Sequence, residues 1–153
     1  MNLSKFITLK EATKSRTAIR LGIENLPNED QLKAMKLVAT KIFDPCREFI
    51  GAPLGANSFL RVIPLNRAVG SSDSSQHPRG EAVDIDCDVY GNGTNKEVFD
   101  FIKDNLEFDQ LIWEYGTEEE PAFVHCSFTD RYPNRKEILV AYVVNHRTKY
   151  KPY

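Results

Sequence analysis

Apolar positions along the chain change their spacing once, near its middle. From Glu29 to Ile50 they recur at Leu32, Met35, Ala39, Ile42, Phe43, Cys46, Phe49 and Ile50, while Lys33, Lys36 and Lys41 fall on other faces. A spacing near 3.6 residues predicts an amphipathic helix with one core-facing stripe. Pro45 lies inside the run and lacks a backbone donor, so the helix is expected to kink or divide there. From Ala82 the period falls to two, with Val83, Ile85 and Cys87 alternating with Asp84, Asp86 and Asp88. This is a strand with apolar residues on one side and acids on the other. Further strands are expected over 58–63, 108–114 and 123–128. Ile138 to Val144, continuous and β-branched, reads as a central buried strand.

Between these runs the punctuation is local. Thr8 and Glu11 form a capping box for a short helix near Leu9, and Thr17 to Leu21 is a second turn closed by Gly22. Thr94 and Glu97 open a helix whose Val98, Phe99, Ile102 and Leu106 are expected to pack on the sheet. Val69 to Ser75 is small and polar, a loop that should form one rim of a cleft. The acidic run 115–121 reads as a solvated loop, and His146 to Lys151 as a basic tail. Together these elements predict an α+β fold, an antiparallel sheet with a long N-terminal helix and a second helix packed on it. One domain is expected over 1–153, helical over 1–50 and carrying the sheet over 58–145.

Composition narrows the function mainly by exclusion. The 153 residues, 41% hydrophobic and 27% charged, suit a globular chain long enough to bury a core. A net charge of -2 gives no nucleic-acid footprint, and no apolar run reaches the roughly 18 residues of a membrane span. Cys46, Cys87 and Cys126 are odd in number and follow no signal-like amino terminus, so free thiols and synthesis in the cytoplasm are expected.

Three carboxylates opposite a core face must be wet, paired or bound to a cation. His77, in the loop before that strand, and Asp84 within it offer two metal ligands. A third is available at His125, which shares a strand face with Phe123 and Ser127, while alternation turns Cys126 towards the core. Two histidines and an aspartate suit zinc, whose catalytic sites keep a fourth position open to water. Each residue taken alone also reads as an ordinary core or surface group.

Four blocks, Asn66-Arg67-Ala68-Val69-Gly70, Ser75-x-His77-x-x-Gly80-x-Ala82-x-Asp84, Asp109 to Glu114 and Phe123-Val124-His125-Cys126-Ser127, resemble the zinc D-alanyl-D-alanine carboxypeptidase and L-alanyl-D-glutamate endopeptidase family, especially its small phage and prophage branch. Phe6, Thr8, Glu11, Thr17-Ala18 and Gly22-Ile23-x-Asn25-x-Pro27 extend the resemblance over nearly the whole chain. It implies the hedgehog/DD-peptidase fold, zinc on His77, Asp84 and His125, and hydrolysis of peptidoglycan stem peptides by a monomer acting on the cell wall after release. It also implies substrate binding by Ser75 and by Arg61, sixteen residues before His77, although Phe59-Leu60 replaces the usual Gly-aromatic pair before that arginine. Several members carry an acidic base three residues before the last histidine, and others a histidine two before. This chain has Ala122 and Phe123 there. Glu114 is then the candidate general base and Asp86 the weaker one, while Trp113 on the opposite face is read as core. The missing acid keeps a second expectation open, a non-catalytic phage structural or wall-binding module.

Overall fold

The computed structural model describes residues 1–153, which fold into six strands and six α-helices. The N-terminal third is helical: α1 (Leu9–Thr13), α2 (Arg16–Leu21), α3 (Glu29–Val38) and α4 (Asp44–Ile50). Ala39–Phe43 joins α3 to α4 as a π-helical segment, so the predicted long helix is three consecutive pieces. The Asp44 N–H reaches back five residues to the Ala39 carbonyl just before Pro45, which has no N–H to continue the ladder. The apolar stripe survives this change of pitch, and Met35, Val38, Ala39, Ile42, Phe43 and Cys46 are all buried.

The sheet is ordered β1-β2-β4-β3-β5-β6, with β1 Gly55–Ser58, β2 Ala82–Asp86, β3 Gln110–Glu114, β4 Phe123–Ser127, β5 Glu137–Val144 and β6 Arg147–Pro152. All neighbours are antiparallel except β3 and β5, so the sheet is mixed rather than wholly antiparallel. The parallel pair arises because 128–136 carries the chain past the start of β3. Asp109, immediately before β3 and fully buried, anchors that crossing by accepting from the Arg135 backbone N–H, from Arg135 Nε and Nη2, and from the Tyr132 hydroxyl at 2.8–3.0 Å. The partners hold the Asp109 carboxyl below its ordinary range although burial pushes it upwards.

One face of the sheet carries the core. Val83, Ile85, Leu111, Trp113, Val124 and Cys126 pack with α3, α4 and the apolar side of α6 (Asn95–Asn105), in a cluster that takes in Val98, Phe99 and Ile102. Burying each of these larger side chains contributes about 1.5–3 kcal/mol before conformational entropy is set against it. Trp113, 4% exposed, is core as the alternation predicts; it packs edge-on to Phe99 and donates from Nε1 to the Thr117 carbonyl.

Several local expectations change. The strand predicted over 58–63 lies earlier, at 55–58, because Phe59–Val62 satisfies its backbone elsewhere. Leu60 N–H donates to Ala12, Arg61 N–H to His77, and buried Asn25 donates to the Leu60 carbonyl while accepting from Val62 N–H. Pro64 then opens α5 (Ile63–Ala68). The acidic strand ends at Asp86 and passes into a 3-10 turn, Cys87–Val89. β5 is not a central buried strand, since Tyr142, Val143 and Val144 are exposed and only Ala141 is fully buried. The basic segment expected as a tail is β6, the edge strand paired along β5. Within the acidic loop, Glu120 is not merely solvated, for its carboxylate accepts the Asn95 and Lys96 backbone N–H groups at the start of α6.

Candidate metal centre and cleft

The face opposite the core is the functional one. Strand register lines up Ser58, Asp84, His125, Ile112 and Leu139 from β1 across to β5. A second row, one pleat along, holds Phe123, Glu114, Ala141 and Tyr150. Asp84 and His125 therefore stand side by side on neighbouring strands, which neither segment specifies alone.

His77 arrives from outside the sheet, on a 3-10 turn (His77–Arg79) closed by Gly80 with φ 73°. That turn is fixed against α3, where Gln31 accepts the Asn28 N–H and donates to the Pro78 carbonyl. His77 Nδ1 lies 2.7 Å from the Phe59 carbonyl oxygen, an acceptor only, so Nδ1 carries the proton. The other nitrogen, Nε2, faces the Asp84 carboxylate at 3.3 Å, where a proton or a cation can lie between them. His125 Nδ1 approaches the same carboxylate at 3.0 Å. Candidate ligand atoms of His77, Asp84 and His125 all lie within 4.8 Å of one another, and all three residues are buried. Electron-rich groups held this close in a buried site need a proton or a cation between them, so the donor set fits a divalent metal. Burial alone would raise the Asp84 carboxyl, but the two imidazoles hold it far below its ordinary range.

Arg61 borders this cluster. Its Nε donates to Asn66 Oδ1 at 3.1 Å and its Nη1 to Ser58 Oγ at 3.3 Å, with Asp84 Oδ2 3.9 Å from Nη1. Asn66, wholly buried on α5, also donates to the Ser72 carbonyl and so joins the arginine to the 69–75 rim. Glu114, 7% exposed at the end of β3, has its carboxyl pushed up to about 7. Burial drives that shift and Asp84 adds to it, while His125 and Arg61 oppose it. Ser75 also borders the cleft, where its Oγ accepts the His77 N–H at 3.3 Å.

Asp86 does not join these groups. Its carboxylate accepts from Asn57, Asn95 and the Asp88 N–H, and it serves to tie β1, α6 and the following turn together. Ala122 is exposed, its N–H bonded to the Glu114 carbonyl, and Phe123 lines the cleft. His77, Asp84, His125, Arg61, Glu114 and Ser75 all border one open cleft of about 1260 Å³. The sequence reading missed the far wall, where Thr148 and Tyr150 of β6 also border it. The sequence reads there as a basic tail, because nothing local shows that it pairs with β5.

A mixed sheet with a buried two-histidine, one-aspartate cluster beneath a polar cleft defines a metallohydrolase-like centre. Over residues 5–127 the sequence matches the family described as Peptidase M15, and the chain belongs to that family. The family assignment indicates a metallopeptidase. No curated protein matches the chain.

Proposed function

We propose that the protein is a zinc-dependent peptidase hydrolysing amide bonds in peptidoglycan stem peptides, as a D-Ala-D-Ala carboxypeptidase or L-Ala-D-Glu-type endopeptidase of the phage and prophage kind. The observation that carries this reading is the convergence of His77, Asp84 and His125 on the sheet face that also carries the buried Glu114. His77 Nε2, an Asp84 oxygen and His125 Nδ1 would hold the metal. Zinc so bound supplies a Lewis acid and lowers the pKa of a water in its open position.

The remaining chemistry belongs to the chain. Glu114, whose carboxyl burial raises to about 7 in the metal-free fold, lies on the sheet face that carries His125, where its carboxylate can accept a proton and pass it to the departing amine. Arg61 stays cationic and, with Asn66 and Ser58 fixing its plane, presents guanidinium N–H groups to a substrate carbonyl or carboxylate. Ser75 holds the backbone of the His77 turn and borders the cleft that would receive the substrate.

The test is incubation with purified peptidoglycan of several chemotypes and identification of released fragments by mass. The parent should release peptide fragments, while Glu114→Gln should release at least about a hundredfold less with its metal content unchanged, as expected for loss of a general base. Ala122, standing where several relatives carry an acid, supports a second reading, a wall-binding module without catalysis. Binding to peptidoglycan with no fragment released by the parent would establish that second reading and sink the first.

A further inference from the structure

The β5–β6 hairpin, residues 137–152, lies wholly beyond the span that matches the family. It nevertheless supplies one wall of the cleft. Register pairs Tyr150 with Ala141 and Ala141 with Glu114, placing Tyr150 in the same cross-strand row as the candidate base. Ala141 is small and fully buried, so no bulky side chain stands between the phenol and the Glu114 carboxyl. The hairpin is anchored at this end, since the Tyr115 hydroxyl meets Thr148 Oγ1 at 2.7 Å and the Tyr115 N–H donates to the Ala141 carbonyl. Thr148 thus has a partner, whereas the Tyr150 hydroxyl engages no group of the protein and the residue is 55% exposed on the cleft.

We propose that Tyr150 is a substrate-binding residue, its phenol donating a hydrogen bond to a carbonyl oxygen of a peptide lying across Glu114. This rests on the peptidase reading above and adds to it a recognition element contributed by the C-terminal hairpin. Burial and the nearby Glu114 charge raise the phenol above its ordinary value, which keeps the hydroxyl protonated and able to donate throughout the neutral range. Arg61 and Tyr150 then offer donors at separate points around one base, which would fix an extended peptide at two places.

Tyr150→Phe removes only the hydroxyl and keeps the ring. Calorimetry should measure binding of the synthetic peptide L-Ala-γ-D-Glu-L-Lys-D-Ala-D-Ala to Glu114→Gln protein and to the Glu114→Gln/Tyr150→Phe double variant. Loss of one hydrogen bond predicts a Kd roughly three- to tenfold weaker in the double variant, with metal content and Tm unchanged. Cleavage by Tyr150→Phe alone should show a matching fall in kcat/KM. Equal Kd values overturn the proposal, as does absence of peptide binding. Weakened binding by the double variant combined with no cleavage by the parent would keep Tyr150 as a peptide contact and sink only the peptidase reading.

Discussion

At the residue scale the site crowds a carboxylate against two imidazole nitrogens, an arrangement that a bound cation would reconcile. Asp84 meets two imidazole nitrogens at 3.0 and 3.3 Å, and the proton on His77 Nδ1 is committed to the Phe59 carbonyl. Elemental analysis of His77→Ala, Asp84→Ala and His125→Ala should each show loss of most of the bound metal; full occupancy in any one would remove that residue from the ligand set. Glu114 makes a different prediction. Its folded pKa of about 7 lies above the ordinary 4.5, so the folded metal-free protein holds this proton more tightly than the unfolded chain. Its stabilising contribution is present below pH ~4.5 and lost as pH rises through about 7, by about 3 kcal/mol in all. Urea unfolding of metal-free parent and Glu114→Gln should therefore diverge between pH 5 and 8, the parent losing ground; parallel profiles would contradict the buried, uncompensated carboxyl. Arg61→Lys keeps the charge but not the planar fork. If the fork grips substrate, kcat/KM should fall roughly ten- to a thousandfold with metal content unchanged, and parental kinetics would make Arg61 a merely structural partner of Asn66.

At the element scale, the turn that delivers His77 depends on Gly80. Its φ of 73° suits glycine, and a β-carbon there would lie 2.7 Å from the Gln31 carbonyl oxygen and 2.9 Å from Met35 Cγ. The backbone oxygen belongs to a helix that cannot give way cheaply. Gly80→Ala should cost about 2–4 kcal/mol, read as a lower urea midpoint, with weaker metal binding because the His77 turn is pushed off α3. The motif spacing made this glycine visible in the sequence, but the reason for it, a helix passing within contact distance, was not. The same limit explains the strand expected over 58–63. Alternation there was real enough to suggest pairing, yet Asn25, thirty-five residues from Leu60, takes the backbone groups that a neighbouring strand would have bonded.

At the scale of the whole molecule, the core cluster runs from Leu3 and Ile7 through the helices to Phe128, so the helical segment and the sheet bury one another. All three cysteines lie within it, unpaired and fully buried. Burial pushes the Cys87 thiol up to about 12 and raises Cys46 and Cys126 as well. A thiol reagent should accordingly find three groups in denatured protein and react with the native fold at least about a hundredfold more slowly. Fast reaction of any one would mean that its region of the core opens readily. No helix is long and apolar enough to cross a membrane.

The sequence by itself determined the periodic elements and the chemical types at the site: the apolar stripe of Glu29–Ile50, the acid-bearing strand at Asp84, the core role of Trp113 and the ligand candidates His77, Asp84 and His125. These are legible because periodicity and residue type are local properties, and the quoted motif carries its own spacing. Tertiary structure decided what depends on partners distant in sequence. It set Asp84 beside His125, turned the assumed tail into β6, made β3 and β5 parallel through the Asp109 anchor, and separated Glu114 from Asp86. The two acids look alike in an alternating strand pattern. Only packing gives one carboxylate three hydrogen-bond donors from Asn57, Asn95 and Asp88 and leaves the other buried beside Asp84, His125 and Arg61, where desolvation raises its pKa towards neutrality.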